Sequence, residues 1–237
     1  MENYRVTRRQ SLFGLGAVAT AIGGLWATTE SAAAMRDWSL ADCRTLVINV
    51  PCSLRVELGS KAQLQVNAEA HVLSALTVAL SGGVATLESP QGFKSKQAVV
   101  VVATLPVLER LSLKAAVQGV LATMKLDRLA LDLDGSSGIN LEDLRAVELK
   151  ARVRGASSVI GKGEVQNQIY IIDGAGSVLA RKLRGNQVRV AISGAGSAEV
   201  AARDELYADI SGVGSVGYEG RPKLFKNLQG IASVDPL

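Results

Sequence analysis

The residues able to do chemistry are few, and several recur at fixed steps. Asp134 and Asp173 bracket Arg154 at steps of 20 and 19 residues. Carboxylate pairs cleave glycosidic bonds, but an arginine set between two carboxylates opposes the protonated acid that such chemistry needs. Ser177, Ser197, Ser215 and Ser233 each follow a glycine string. A serine nucleophile needs a base beside it. None of these serines sits in a G-x-S-x-G frame, and the one histidine, His71 in Glu69-Ala70-His71-Val72, lies far away in the sequence. Turn serines are therefore expected. Gly212-Val213-Gly214-Ser215-Val216-Gly217 matches G-x-G-x-x-G. A dinucleotide fingerprint requires a helix next, and Tyr218-Glu219-Gly220-Arg221-Pro222 is a poor start for one.

Composition removes further classes. One His and two Cys cannot build a multi-His metal site, a zinc finger or a disulfide scaffold. The glycine pairs are not followed by the Asp that repeat-in-toxin calcium coils use. No cofactor and no metal are expected. A net charge of +4, from 26 basic and 22 acidic residues, is too small and too mixed to indicate nucleic acid. Lys150, Arg152, Arg154 and Arg189, with Arg181, Lys182 and Arg184 nearby, offer a basic strip for an anionic glycan or lipid headgroups. Asp132, Asp134, Glu164 and Asp173 are interspersed, so a solvated mixed-charge face is the competing account. Tyr207 is the one aromatic that clearly points outward by alternation, so sugar-stacking platforms are scarce.

These residues are positioned by a repeat. Gly135, Gly155, Gly174, Gly194, Gly212 and Gly230 each open a Gly/Ser/Ala string, at steps of 20, 19, 20, 18 and 18. Gln118-Gly119 reads as a degenerate earlier member. Two residues before the glycine stand Leu133, Val153, Ile172, Ile192 and Ile210, and four before stand Leu131, Ala151, Tyr170, Val190 and Ala208. Polar residues occupy most positions between them. Period two predicts strands with one buried face. A coil of 18–20 residues is too short for a βα unit and suits one turn of a β-solenoid, with glycine at the corner. Coils stack about 4.8 Å apart, so seven rungs span roughly 30 Å.

Strands are also predicted at 46–50, 54–58, 64–66, 76–80, 84–87 and 99–105, separated by turns such as Ser81-Gly82-Gly83. The expected fold is all-β: a β-solenoid over 109–237 continuous with a β-rich half over 44–108, one domain spanning 39–237. Residues 1–34 read as an export signal. Arg5, Arg8 and Arg9 precede a 16-residue apolar run over 12–27, and Ala32-Ala33-Ala34 offers cleavage near Ala34. Thr7-Arg8-Arg9-Gln10-Ser11-Leu12 resembles a twin-arginine signal, with Ser11 where Phe is usual. That assigns the translocase as an export partner and the periplasm or cell surface as destination, an uncleaved anchor being the alternative. Removing 1–34 takes away three Arg and two Glu, leaving 23 basic against 20 acidic residues, a net of +3. Cys43 and Cys52 flank a predicted strand that would hold them nearly 30 Å apart at about 3.3 Å per residue, so both are expected unpaired and mostly buried.

Leu105-Pro106-Val107-Leu108-Glu109-Arg110-Leu111, the Ser-Gly-Ala-Gly-Ser and Ser-Gly-Val-Gly-Ser strings, and Tyr218-Glu219-Gly220-Arg221-Pro222 resemble the head GIN domain family of auto-transporter adhesins over about 44–237. Arg154-Gly155-Ala156-Ser157-Ser158 departs from the pattern by lacking the second Gly. The resemblance implies a β-solenoid-like fold and a cell-envelope location, and supplies no catalytic residues. The reading adopted is an exported, non-catalytic adhesin or glycan-binding module. A polysaccharide hydrolase or lyase and a structural module self-associating through open solenoid ends are the alternatives.

Overall fold

The computed structural model describes residues 33–237. The export-signal reading therefore lies, apart from Ala33 and Ala34, outside the described residues. In chain order the elements are β1 (Ala33–Ser39), β2 (Thr45–Asn49), β3 (Cys52–Leu58), β4 (Gln63–Glu69), α1 (Ala70–Ala75), β5 (Thr77–Ser81), β6 (Val84–Glu88) and β7 (Val100–Leu105). Then follow β8 (Arg110–Leu113), β9 (Val117–Leu121), β10 (Met124–Leu133), β11 (Gly138–Gly155), β12 (Ser158–Gly174), β13 (Ser177–Glu219) and β14 (Lys223–Pro236). From β11 onward the ladder continues around the corners, which is why β13 runs unbroken for 43 residues.

The stack has two faces. Parallel β6, β2, β8, β10 and the second part of β11 follow one another on the first face, and β7, β3, β9 and the first part of β11 on the second. β12, β13 and β14 extend both faces in register. The chain is therefore a β-solenoid, and its first half belongs to the same stack. Space and sequence differ there. The β2/β3 rung is laid first in sequence, yet it is clamped between β6/β7 on one side and β8/β9 on the other. Alternation cannot reveal this, because it fixes which face a strand buries and not which strand lies beside it.

The glycine register holds. Gly155 pairs with Gly174, Gly174 with Gly194, and Gly212 with Gly230. Gly155 has φ +72, and a Cβ there would stand 2.6 Å from the Gly135 carbonyl oxygen in the rung beneath. Left-handed backbone and close rung contact both demand glycine. The second glycine of each string faces inward: a Cβ on Gly176 would meet Val153 Cγ1 at 2.6 Å, and one on Gly196 would meet Ile172 Cγ2 at 2.7 Å. In the two earlier rungs Ser137 and Ser157 are buried at the corresponding corner, and their hydroxyls donate to the Ala115 and Gly135 carbonyls. One earlier member is corrected. Leu133 pairs with Leu113, which puts Lys114-Ala115 at that corner; Gln118-Gly119 lies inside β9, with Gln118 opposite Gly138. This corner turns without glycine, so the glycine string alone misplaced it.

The bore is filled by inward Leu, Val, Ile and Ala. One polar pair interrupts it: buried Tyr170 donates to Gln168 Oε1 at 2.9 Å, and Gln168 Nε2 donates to the Leu183 carbonyl at 3.1 Å. Burial pushes the Tyr170 phenol far up. The ends differ. At the N-terminal end antiparallel β4 and β5 cover β7 and β6, and β1 covers β4, with α1 packed on β1 and β4. That end is not an open rung. β1 and α1 escaped the sequence reading, the first because it precedes the expected domain start, the second because six residues hold too little periodicity. At the other end β14 carries Lys226 in the inward column of Ala208, between Pro222 and Pro236. An inward charge and flanking prolines blunt an edge strand against pairing.

Candidate functional site

The first face carries the expected basic residues. Lys150, Arg152 and Arg154 occupy alternate outward positions of β11, and Arg189 lies two rungs on, in the column Lys150–Ile169–Arg189. They are spread along one strand and across rungs rather than lined up as a strip. Two are engaged. Arg154 Nε lies 2.7 Å from Asp134 Oδ1. The Arg189 guanidinium sits 5.0 Å over the Tyr207 ring. The predicted Asp134–Arg154–Asp173 column exists in register, with Arg154 opposite Asp173. The next column engages the rung below instead, through Arg110 and Asp132 at 2.7 Å.

Tyr207 is no free sugar platform. Its ring stacks on Phe225 with centroids 4.6 Å apart and planes 7° from parallel, and Arg189 covers the opposite side. Its hydroxyl donates to Glu205 at 3.1 Å, which pushes the phenol upward. Lys223 lies 4.8 Å over Phe225. The result is a cation–aromatic–aromatic–cation ladder that ties the last rungs together.

The other candidates fall apart. Ser158 pairs with Ser177 and Ser215 with Ser233, a column of corner serines along the stack. His71 stands on α1, exposed, with Nε2 2.8 Å from the Lys94 carbonyl. Nearby Glu69 is buried, and the Lys96 backbone N–H and Ser95 hydroxyl hold its carboxyl below the usual carboxylate range. The 212–217 glycines lie within β13, and no helix follows them. Cys43 and Cys52 are unpaired and buried. Burial pushes the Cys43 thiol up and takes Cys52 to about 12.

What the sequence reading missed is the second corner, opposite the glycine corner. Here the register shifts between Leu141 and Leu144 and between Ile160 and Lys162. Gly163, Gly185, Gly220, Ala201 and Ala202 leave a shallow floor of main chain and small side chains, and charged side chains wall a groove of about 780 Å³. Gly163, with φ +129, crosses directly over the Leu144 main chain, where any Cβ would collide. A second cleft of about 560 Å³ shares Arg145 and Glu164 and carries the groove toward Pro106 and Val107. Lys125, Arg145, Glu164 and Arg184 form one registered column through it. The signal was available: 145, 164, 184, 203 and 221 advance by 19, 20, 19 and 18, the same step as the glycines.

A β-solenoid with a filled bore and charged outer columns defines the class. Residues 44–222 match the family described as "Putative auto-transporter adhesin, head GIN domain", and the chain belongs to that family. No curated protein matches the sequence. A "putative adhesin" from Bacteroides fragilis NCTC 9343 has a similar structure, with TM-score 0.79 and 21% identity over 87% of this chain and 97% of that one. A "putative adhesin" from Parabacteroides merdae ATCC 43184 gives 0.67 at 17% identity, covering 88% and 97%. A "Putative lipid binding protein" from Parabacteroides distasonis ATCC 8503 gives 0.71 at 15% identity, covering 88% and 98%. At these identities the likeness is one of fold.

Proposed function

We propose that the protein is an exported, non-catalytic module of the cell envelope, adhesin-like in role, that binds an acidic glycan or a comparable envelope component on its outer surface. It is delivered by the twin-arginine translocase and works in the periplasm or at the cell surface. The observation that carries this reading is the packed bore. With Leu, Val, Ile and Ala filling the inside, ligand-facing chemistry falls to the outer columns and grooves. Membership of an adhesin family supports the envelope role. The Asp134–Arg154 ion pair supports binding over hydrolysis, because the carboxylate is already spent on a cation in the next rung.

Two measurements test it. Cell fractionation should find the chain outside the cytoplasm and the Arg8→Lys/Arg9→Lys variant retained inside; a native chain that stays cytoplasmic refutes export. The purified chain should release no reducing ends from a polysaccharide panel. Release that is abolished by Asp134→Asn would establish the hydrolase reading in its place.

A further inference from the structure

We infer that the second-corner groove is the ligand site, and that its ligand is a linear acidic polysaccharide lying along the solenoid axis. This rests on the binding reading above and deepens it.

Charge carries the argument first. The groove is lined by seven cationic side chains and three carboxylates, a net of 7 − 3, or +4. The whole chain has a formal net charge of +4, and residues 35–237 have +3. Outside the groove, those residues therefore sum to 3 − 4, or about −1. Glu199 and Asp204, just outside the lining, pair with Arg181 and Arg203 and bring the groove to 4 − 2, or +2, still most of the +3 of residues 35–237, and a concave basic groove focuses its field on an anion.

Availability is the second argument. Arg181 is held by Glu219 at 2.7 Å and Glu199 at 3.8 Å, Arg145 by Asp143 at 3.8 Å, and Arg203 by Asp204 at 3.0 Å. Lys162, Lys182, Arg184 and Arg221 are exposed, and none of the ion pairs among the described residues includes them. The fixed pairs build the walls; the four free cations face the solvent. On the first face Arg154 and Arg189 are engaged, which leaves Lys150 and Arg152 as the two cations there outside the ion pairs of the described residues and as the comparison for the groove.

Shape is the third. Lys162 and Lys182 are registered neighbours, and beyond Glu164 the cations Arg184, Arg203 and Arg221 follow at the repeat step of 19 and 18 residues, so cations recur at the rung spacing of about 4.8 Å. The groove continues across several rungs because the adjoining cleft shares two of its walls. A trough that repeats charge along its length fits an extended chain with regularly placed carboxylate or sulfate groups. Its lining contains no aromatic ring for base stacking, which single-stranded nucleic acids use. The 780 Å³ groove is also concave and its lining lacks the large apolar anchors with which proteins sit on a bilayer, the exposed valines Val107 and Val147 belonging to the adjoining cleft.

The test is binding of polygalacturonate to the purified chain at low salt, with uncharged dextran and phosphatidylglycerol vesicles as parallel probes. Polygalacturonate should bind and dextran should not. Each exposed charge contact is worth about a two- to five-fold change in affinity, so losing two of them in Arg184→Glu/Arg221→Glu should weaken binding at least about fourfold, and the two added carboxylates should weaken it further. Lys150→Gln/Arg152→Gln should change it less than about twofold. Arg184, Arg221 and Lys150 are exposed and Arg152 is half-buried, and unchanged melting temperatures show that both double variants fold. If polygalacturonate binds and only Lys150→Gln/Arg152→Gln loses it, the groove assignment is wrong and the binding function stands. Vesicle binding lost in the groove variant, with no polygalacturonate binding, overturns the ligand class. If neither anionic probe binds, the acidic-ligand reading falls with the groove.

Discussion

Gly135 and Gly155 form a matched pair for testing what one rung does to the next. Both occupy the glycine corner with left-handed backbone, at φ +80 and +72. A Cβ on Gly135 meets nothing within 4 Å, whereas a Cβ on Gly155 would stand 2.6 Å from the Gly135 carbonyl oxygen. That oxygen accepts the Ala156 N–H at 2.8 Å and the Ser157 hydroxyl at 3.3 Å. Gly135→Ala therefore meets only the left-handed strain, about 1–2 kcal/mol, partly offset by a stiffer unfolded chain. Gly155→Ala carries the same two contributions and also displaces an acceptor of two hydrogen bonds, each worth about 1 kcal/mol. The difference of about 2 kcal/mol corresponds to about 4–8 °C in a domain of this size. Differential scanning calorimetry of the two variants reads it directly. Melting temperatures equal within about 1 °C, or a greater loss at Gly135, would show that the stacked corner contact does not constrain the chain.

The buried polar pair and the buried thiols give two further tests. Gln168→Leu leaves the Tyr170 hydroxyl without its acceptor inside the bore and should cost about 1–3 kcal/mol, while Gln168→Leu/Tyr170→Phe should recover part of that loss because both partners are then apolar; urea unfolding of the native chain and the two variants checks the sign, and a double variant no more stable than Gln168→Leu would contradict it. Cys52 is buried with its thiol raised to about 12, so below that pH it stays protonated; it should react with a thiol reagent at pH 8 only as fast as the rod opens, and immediate reaction in the folded state would refute its placement.

Much of this architecture was legible because a solenoid turns sequence spacing into spatial position. Gly174, Gly194 and Gly212 announce the rung length, and the residues two and four before each glycine give the inward set. The same logic put Arg154 over Asp134 and left Cys43 and Cys52 apart. What stayed hidden depends on pairing rather than period. Nothing in β2 or β6 states that the β2/β3 rung slots between β6/β7 and β8/β9, since parallel strands of similar composition are interchangeable until the whole stack forms. The glycine signal failed at Lys114-Ala115, a corner that turns without glycine. The basic groove was overlooked because its residues were read by proximity in the chain. Proximity groups Arg181, Lys182 and Arg184 with Lys150 and Arg152, although the former stand at the second corner and the latter on the first face, and Arg145, Arg203 and Arg221 share the step of the corner residues but not their neighbourhood in sequence.

The most direct test of the account is the salt dependence of polygalacturonate binding by the unmodified chain, measured by titration calorimetry. A row of exposed cations at rung spacing predicts that affinity falls at least about tenfold between roughly 0.05 and 0.5 M salt, as the screening length shrinks below the spacing of the charges. Affinity that does not change over that range would contradict an electrostatic groove on the outside of the rod as the basis of this protein's function.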